Sequence, residues 1–289
     1  MNIDLKTLGA NLKQVLLNQD KYVMDLVIKE FDGADFLFFY IYEPHEDRPP
    51  TYYFVVSPWD AKSKAAPQGA QVFDDGKLIL QLDYTEYVRV RTGLMDAFAL
   101  DALKRDPAGK RILYIGAGVV AEWSIRALKA YFPGVTSVDY KNTSDGKPAF
   151  ESTAKGISVQ AKYVEAPDIA SYDYIFMHTS SREPVLLEND IAKLKEGAFI
   201  SLFSDKNEAA LEIYNDAAIL VNWTNSFERE SDLIQAKEQA LIMPEEAVTM
   251  KEVFEGASLP RRHHTVFRSG GTPMQNVAML QYLMAEKIT

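Results

Sequence analysis

The stretch from Arg111 to Leu128, RILYIGAGVVAEWSIRAL, constrains the fold more than any other part of the chain. It reads as a short apolar strand, a tight glycine turn and a helix. In a turn that holds a dinucleotide, the first glycine allows the bend, the second lets the backbone approach the pyrophosphate, and the third position is small so that helix and strand pack closely. Gly116, Gly118 and Ala121 stand at those places. The phosphates then meet the free N–H groups of Val119 and Val120 at the positive end of the helix. Asp139, about 20 residues further on at the end of the next predicted strand, is placed to accept a hydrogen bond from the ribose 2′-hydroxyl. A carboxylate there repels a 2′-phosphate, which favours NAD, while Lys141 leaves NADP open. The competing reading is a plain strand-helix joint with a surface aspartate.

Around this turn the pattern alternates. Strands are expected at Val135 to Tyr140, near Ile157 to Val164, at Tyr172 to His178, Ala198 to Ser204 and Ala218 to Trp223, with helices LLENDIAKLKEG and NEAALEIYNDA between the later ones. Such alternation predicts an α/β fold, a parallel sheet with helices on both faces. The N-terminal part differs. Leu5, Leu8, Leu12, Val15 and Leu16 recur at helical spacing, and a second apolar group from Val23 to Phe31 continues the helical part. FLFFYIY, TYYFVV and AQVF then read as strands of a mostly antiparallel sheet, and Asp75-Gly76 joins AQVF to KLILQLD as a hairpin. One long helix is expected from Glu86 to Lys104, ended by Asp106-Pro107. Thr272, Pro273 and Gln275 open a last helix with a cap, a first-position proline and a capping box. His263 and His264 are expected on a connection after Pro260.

Composition removes several function classes. With 31 basic against 41 acidic residues and a net charge of -10, the chain is a poor match for nucleic acid or an anionic membrane, both of which need basic patches. The absence of cysteine excludes disulfides, thiolate nucleophiles and zinc-cysteine sites, and suits a reducing cytoplasm. No apolar run approaches the roughly 20 residues of a membrane helix, and the N-terminus lacks the apolar centre of a signal peptide. His263 and His264, being adjacent, point apart and do not form a metal pair.

Five pieces in order resemble the ornithine cyclodeaminase and mu-crystallin family, which includes archaeal-type alanine dehydrogenases. They are VRVRTGLMDAFALDAL, IGAGVVAE, HTSSREPVL, GAFISLFSDKNEAALEI and VFRSGGTPMQNVAMLQYL. The resemblance implies a homodimer in which residues 1–106 and 272–289 form a smaller α+β substrate and dimerisation domain, with a Rossmann domain, residues 107–271, inserted between them. It implies hydride exchange between nicotinamide and an amino or imino acid. In cyclodeaminases the hydride is returned after ammonia leaves; in the dehydrogenases it is not. Arg91 matches the family's arginine for the substrate carboxylate, a role suited to a planar guanidinium, and Thr92 lies at the neighbouring contact. Asp205 matches the catalytic aspartate, able to take a proton from the substrate amine, although a helix cap is the competing role. Thr179 is expected to line the cofactor.

Three departures stand against this, the first being that the family's arginine further upstream has no clear partner in the N-terminal region. The family's lysine near the substrate is replaced by Phe54, with Lys62 and Lys64 nearby in another register, and a carboxylate of the final segment becomes Asn276. These changes keep open a second reading, a catalytically reduced, mu-crystallin-like protein that binds NAD(P)H or a small ligand. Tyr52, Tyr53, Phe54 and Trp59 could line an apolar substrate pocket, or belong to sheet core or a dimer face.

Overall fold

The computed structural model describes residues 3–31, 34–58, 68–142, 147–179, 181, 183–203 and 208–287. Its contacts divide the chain into two compact units, Met1–Arg91 with Gly271–Thr289, and Thr92–Gly270.

The first unit opens with α1 (Leu5–Leu17), whose Leu5, Leu8, Leu12, Val15 and Leu16 form one buried stripe. The Asp4 carboxylate caps it by accepting from the N–H groups of Lys6 and Thr7. Five strands follow as an antiparallel meander in sequence order: β1 (Val23–Phe31), β2 (Ala34–Glu43), β3 (Thr51–Pro58), β4 (Gly69–Asp74) and β5 (Lys77–Asp83). The apolar group Val23 to Phe31, expected in the helical part, is therefore β1. It pairs along its whole length with β2, from Val23 opposite Tyr42 to Phe31 opposite Ala34, and this ladder decides its state. Asp75 and Gly76 both have positive φ, as a two-residue hairpin turn requires. Alternation gives the sheet one buried face, with Leu37, Phe39, Ile41, Tyr53 and Val55.

The expected long helix from Glu86 to Lys104 is two: α2 (Thr85–Gly93) and α3 (Met95–Ala102). The break follows Gly93, which lies so close to a later helix, Val119–Tyr131, that a Cβ would stand 2.5 Å from Trp123 Cβ and 2.7 Å from Ser124 N. The second unit then builds an eight-stranded, all-parallel sheet. In chain order come β6 (Ile112–Ile115), α4 (Val119–Tyr131), β7 (Ser137–Lys141), α5 (Lys147–Gly156), β8 (Gln160–Tyr163), β9 (Tyr174–Met177), α6 (Glu188–Ile191), β10 (Phe199–Leu202) and β11 (Ala217–Val221). They are followed by α7 (Ser226–Arg229), α8 (Ser231–Glu238), β12 (Val248–Thr249), α9 (Met250–Phe254) and β13 (His264–Arg268). The spatial order is β12-β11-β13-β10-β9-β6-β7-β8, so the strand sequence reverses between β6 and β9. That reversal is the topological switch point, where open α/β sheets keep their ligands outside the strands' carboxyl ends. β6, β9, β10 and β13 are buried along their whole length, as strands covered on both faces should be.

Three expectations for this unit change. LLENDIAKLKEG holds only the four-residue α6, because Leu186 is held extended by a bridge to Ala209 and Gly197, at φ 79°, turns the chain into β10. In NEAALEIYNDA the same bridge takes Ala209 and leaves a short 3-10 turn, Leu211–Tyr214. His264 is not on a connection: it begins β13, which inserts between β10 and β11. Its Nε2 bonds the Ile213 carbonyl oxygen at 2.7 Å, and burial holds its pKa below the ordinary histidine value.

The chain ends in α10 (Pro273–Ala285), which rejoins the first unit. Thr272 caps it, Pro273 opens it and Gln275 closes the capping box. Asn11 Nδ2 on α1 donates to the Ala278 carbonyl at 2.6 Å, and Gln281 Nε2 donates to the Tyr53 hydroxyl at 3.2 Å, tying α10 to helix and sheet.

Candidate functional site

The glycine turn sits at the carboxyl end of β6, on the switch point. Gly116 has φ 97°, and a Cβ there would stand 2.3 Å from the carbonyl oxygen of His178, where the chain leaves β9. Both facts demand glycine. Its N–H donates to the Lys141 carbonyl at 2.9 Å, joining the turn to the end of β7. Gly118 is different. It is the N-cap of α4 in extended backbone, and a Cβ built on it meets nothing within 4 Å. The first helical bond there is from Glu122 N–H to the Gly118 carbonyl, so the N–H groups of Val119, Val120 and Ala121 precede the intrahelical ladder. They lie at the positive end of a 13-residue helix, next to the open space at Gly118, while Ala121, fully buried, lets that helix close on the sheet. These residues fit a diphosphate. Among the described residues no group of three or more His, Asp or Glu could hold a metal ion.

Arg91 ends the first unit's share of α2 and is buried. Its Nη1 donates to Gln275 Oε1 at 2.5 Å, and Gly271 is close enough that a Cβ would lie 3.2 Å from that nitrogen. Tyr84 stands beside it; burial raises the Tyr84 phenol's pKa and lowers that of the guanidinium, and their mutual attraction opposes both shifts. No carboxylate among the described residues pairs with Arg91, and its Nε, Gln275 Nε2 and both side-chain polar atoms of Asn276 are buried without a partner. Arg91 is thus a buried cation with neutral neighbours, close to the start of a helix.

The other expected residues are placed as follows. Thr92 is buried and opens the second unit. Thr179 follows β9, its N–H donating to Glu208 Oε1 at 3.2 Å. Asp205 lies outside the described residues, as do Trp59, Lys62 and Lys64. Asp139 does not face the turn. It pairs with Leu113, two residues before the end of β6, and its Oδ2 accepts from the Tyr172 hydroxyl at 2.8 Å and Arg111 Nη2 at 3.2 Å. Phe54, in the expected place of a lysine, lies on the half-buried face of β3.

The model of the ornithine cyclodeaminase/mu-crystallin family matches residues 71–288. The chain belongs to that family. Solved structures agree in fold with this ornithine cyclodeaminase/mu-crystallin family member. Delta(1)-pyrroline-2-carboxylate reductase of Thermococcus litoralis, in complex with NADH and L-proline, is 19% identical over 99% of this chain and 95% of its own, with a TM-score of 0.80. An archaeal alanine dehydrogenase dimer with bound NAD is 20% identical over 99% and 93%, with a TM-score of 0.79. The iminosuccinate reductase of Paracoccus denitrificans, in complex with NAD+, is 17% identical over 99% and 94%, with a TM-score of 0.80. No curated protein sequence matches the chain significantly.

Two features of this family member escape sequence reasoning. Under the switch point, His178 Nε2 meets Asp96 Oδ2 at 2.8 Å, both side chains being 2% exposed, and the Ser124 hydroxyl donates to the same oxygen at 2.5 Å. Burial would raise the Asp96 carboxyl, but the imidazole and the hydrogen bonds from His178 and Ser124 hold it below the usual value. Glu208, also buried, accepts from the N–H groups of Thr179 and, at 2.5 Å, Phe203, so one carboxylate joins the ends of β9 and β10. These partners are 82, 29 and 5 residues apart, and no local pattern announces them.

Proposed function

We propose that the chain binds a nicotinamide dinucleotide on the turn from Gly116 to Ala121 and acts on a small amino or imino acid whose carboxylate is held by Arg91. The observation that carries the reading is the buried Arg91 guanidinium without a carboxylate partner among the described residues. Leaving such a cation unpaired is costly, and a substrate carboxylate supplies two parallel charge-assisted hydrogen bonds. The nicotinamide, when bound, supplies hydride exchange. The protein's own residues orient the acid, with Arg91 as its anchor, and Asp205, two residues beyond Phe203, exchanges a proton with the substrate nitrogen. The net reaction is that of an amino acid dehydrogenase or imine reductase, or of a cyclodeaminase when the hydride is returned. The likeness in fold to the NADH-bound and NAD-bound reductases supports the cofactor assignment.

The test is a comparison of wild type with Arg91→Ala in dinucleotide titrations and in turnover of amino acids and cyclic imines. Loss of two charge-assisted bonds should weaken the amino or imino acid by about 30-fold or more and leave dinucleotide affinity within about twofold. Equal loss of both would make Arg91 a structural residue and remove the reading.

A second reading, a protein that binds the dinucleotide or a small ligand without turnover, is favoured by Phe54 and Asn276, which replace a lysine and a carboxylate expected from the family resemblance. Sustained product formation from any amino or imino acid would exclude it. In either case we place the protein in the cytoplasm as a homodimer, with the first unit, Met1–Arg91 and Gly271–Thr289, as substrate and dimerisation domain. The outer face of its antiparallel sheet supports the dimer: Tyr40, Tyr42, Tyr52, Phe54 and Phe73 form a half-buried aromatic patch with ring centroids 5.1 to 6.2 Å apart, suited to a second copy of itself. Light scattering should give twice the 32.5 kDa chain mass, and a Tyr40→Glu, Tyr52→Glu variant the single mass.

A further inference from the structure

We propose that Lys141, not Asp139, sets the dinucleotide specificity of this chain, and that it selects the 2′-phosphate of NADP(H). The inference rests on the cofactor reading above and reverses the preference for NAD that the spacing of Asp139 suggested.

In a Rossmann unit the side chain at the carboxyl end of the second strand, next to the glycine turn, meets the adenosine ribose. A carboxylate there accepts from a 2′-hydroxyl; a cation there accommodates a 2′-phosphate. Register decides which residue holds that place. Ile115, the last residue of β6, pairs with Lys141, the last residue of β7, whereas Asp139 pairs with Leu113. Two residues of strand set Asp139 back by about 7 Å from the edge.

The Asp139 carboxylate is also committed elsewhere. Its two partners, Arg111 and Tyr172, immediately precede β6 and closely precede β9, at the amino ends of parallel strands and away from the turn. The Arg111 guanidinium lies over the Tyr172 ring at 4.5 Å, which closes the group on itself. Burial and the bond to Asp139 push the Tyr172 phenol up to about 12, so it stays a donor to the carboxylate.

Lys141 is joined to the turn directly. Its carbonyl accepts the Gly116 N–H, and the next residue, the buried Asn142, accepts the Ala117 N–H on Oδ1 at 3.3 Å. Asn142 is thus a positioning residue that holds the turn level with the strand end. The half-exposed lysine at that level has three donors and no acceptor, which suits a phosphate dianion and lacks the acceptor that an NAD ribose diol prefers. A second lysine, Lys147, opens α5 beyond the same strand end, its Nζ 3.6 Å from the ring centroid of Tyr163, the last residue of β8. Two lysines, Lys141 and Lys147, therefore stand by the strand end that would meet the ribose.

The experiment is a fluorescence titration of wild type, Lys141→Asp, Lys141→Ala and Asp139→Asn with NADPH and with NADH. Wild type should bind NADPH at least about tenfold more tightly than NADH, as expected for one charge-assisted contact to phosphate. Lys141→Ala should abolish that ratio, Lys141→Asp should invert it, and Asp139→Asn should leave it unchanged. Binding in which NADH is preferred or equal, with the ratio unmoved at position 141, overturns the assignment and leaves the proposed function standing. Binding of neither nucleotide overturns both.

Discussion

Gly116 and Gly118 belong to one turn and answer to different forces. Gly116 is required by the protein itself: its φ of 97° and the His178 carbonyl 2.3 Å from a would-be Cβ leave no place for a methyl group. Gly116→Ala should lower unfolding free energy by about 2–6 kcal/mol, combining backbone strain with overpacking, as read from urea denaturation. Gly118 is free of both demands, being extended with open space above it. Gly118→Ala should therefore change stability by no more than about 0.5 kcal/mol, while a methyl group in the phosphate space weakens the dinucleotide by at least about tenfold. The motif G-x-G-x-x-A displays both glycines alike; only the neighbours of each assign structural duty to the first and open space to the second.

At the scale of elements, β13, like β1, is a strand that the sequence concealed. HTVFR is short and has polar ends, yet it occupies the middle of the parallel sheet. Its last residue, Arg268, is fully buried between Glu230 at 3.0 Å and Asp232 at 2.9 Å, with Tyr214 also donating to Asp232 at 2.6 Å. Burial alone would lower the Arg268 pKa; the two carboxylates outweigh it and hold the guanidinium charged. Arg268→Met should destabilise the protein by about 3–5 kcal/mol, because it leaves two buried carboxylates without their cation, and the midpoint of thermal unfolding should fall accordingly. The helix break after Gly93 has the same origin. A local helical pattern continues through Leu94, but contact with α4 sets where the helix bends.

For the molecule as a whole, the buried Asp96 makes the stability acid-sensitive. Its carboxyl is held below the usual value in the folded state, so its contribution is fully present above the unfolded carboxylate pKa of about 3.9 and is lost as pH falls through the lower folded value. Asp96→Asn should lower stability at pH 7 and flatten its decline below about pH 4, and urea unfolding as a function of pH would show a parallel, undiminished decline if Asp96 made no such contribution. What the sequence determined by itself is whatever depends on neighbours in the chain. Glycine spacing marked the turn at Gly116 and Gly118, Asp75-Gly76 marked the hairpin, Thr272 to Gln275 marked the start of α10, and alternation marked the parallel sheet. These signals are local because backbone dihedrals, caps and side-chain periodicity are set within a few residues. Tertiary structure alone decided that Asp139 turns away to Arg111 and Tyr172, that Lys141 stands level with the glycine turn, that β13 enters the sheet's centre, and that Arg91 is buried beside Gln275. Each of those depends on strand register or on contact between residues far apart in the chain, and a register shift of two residues leaves a strand's alternation unchanged while moving a carboxylate away from the edge where a ligand binds.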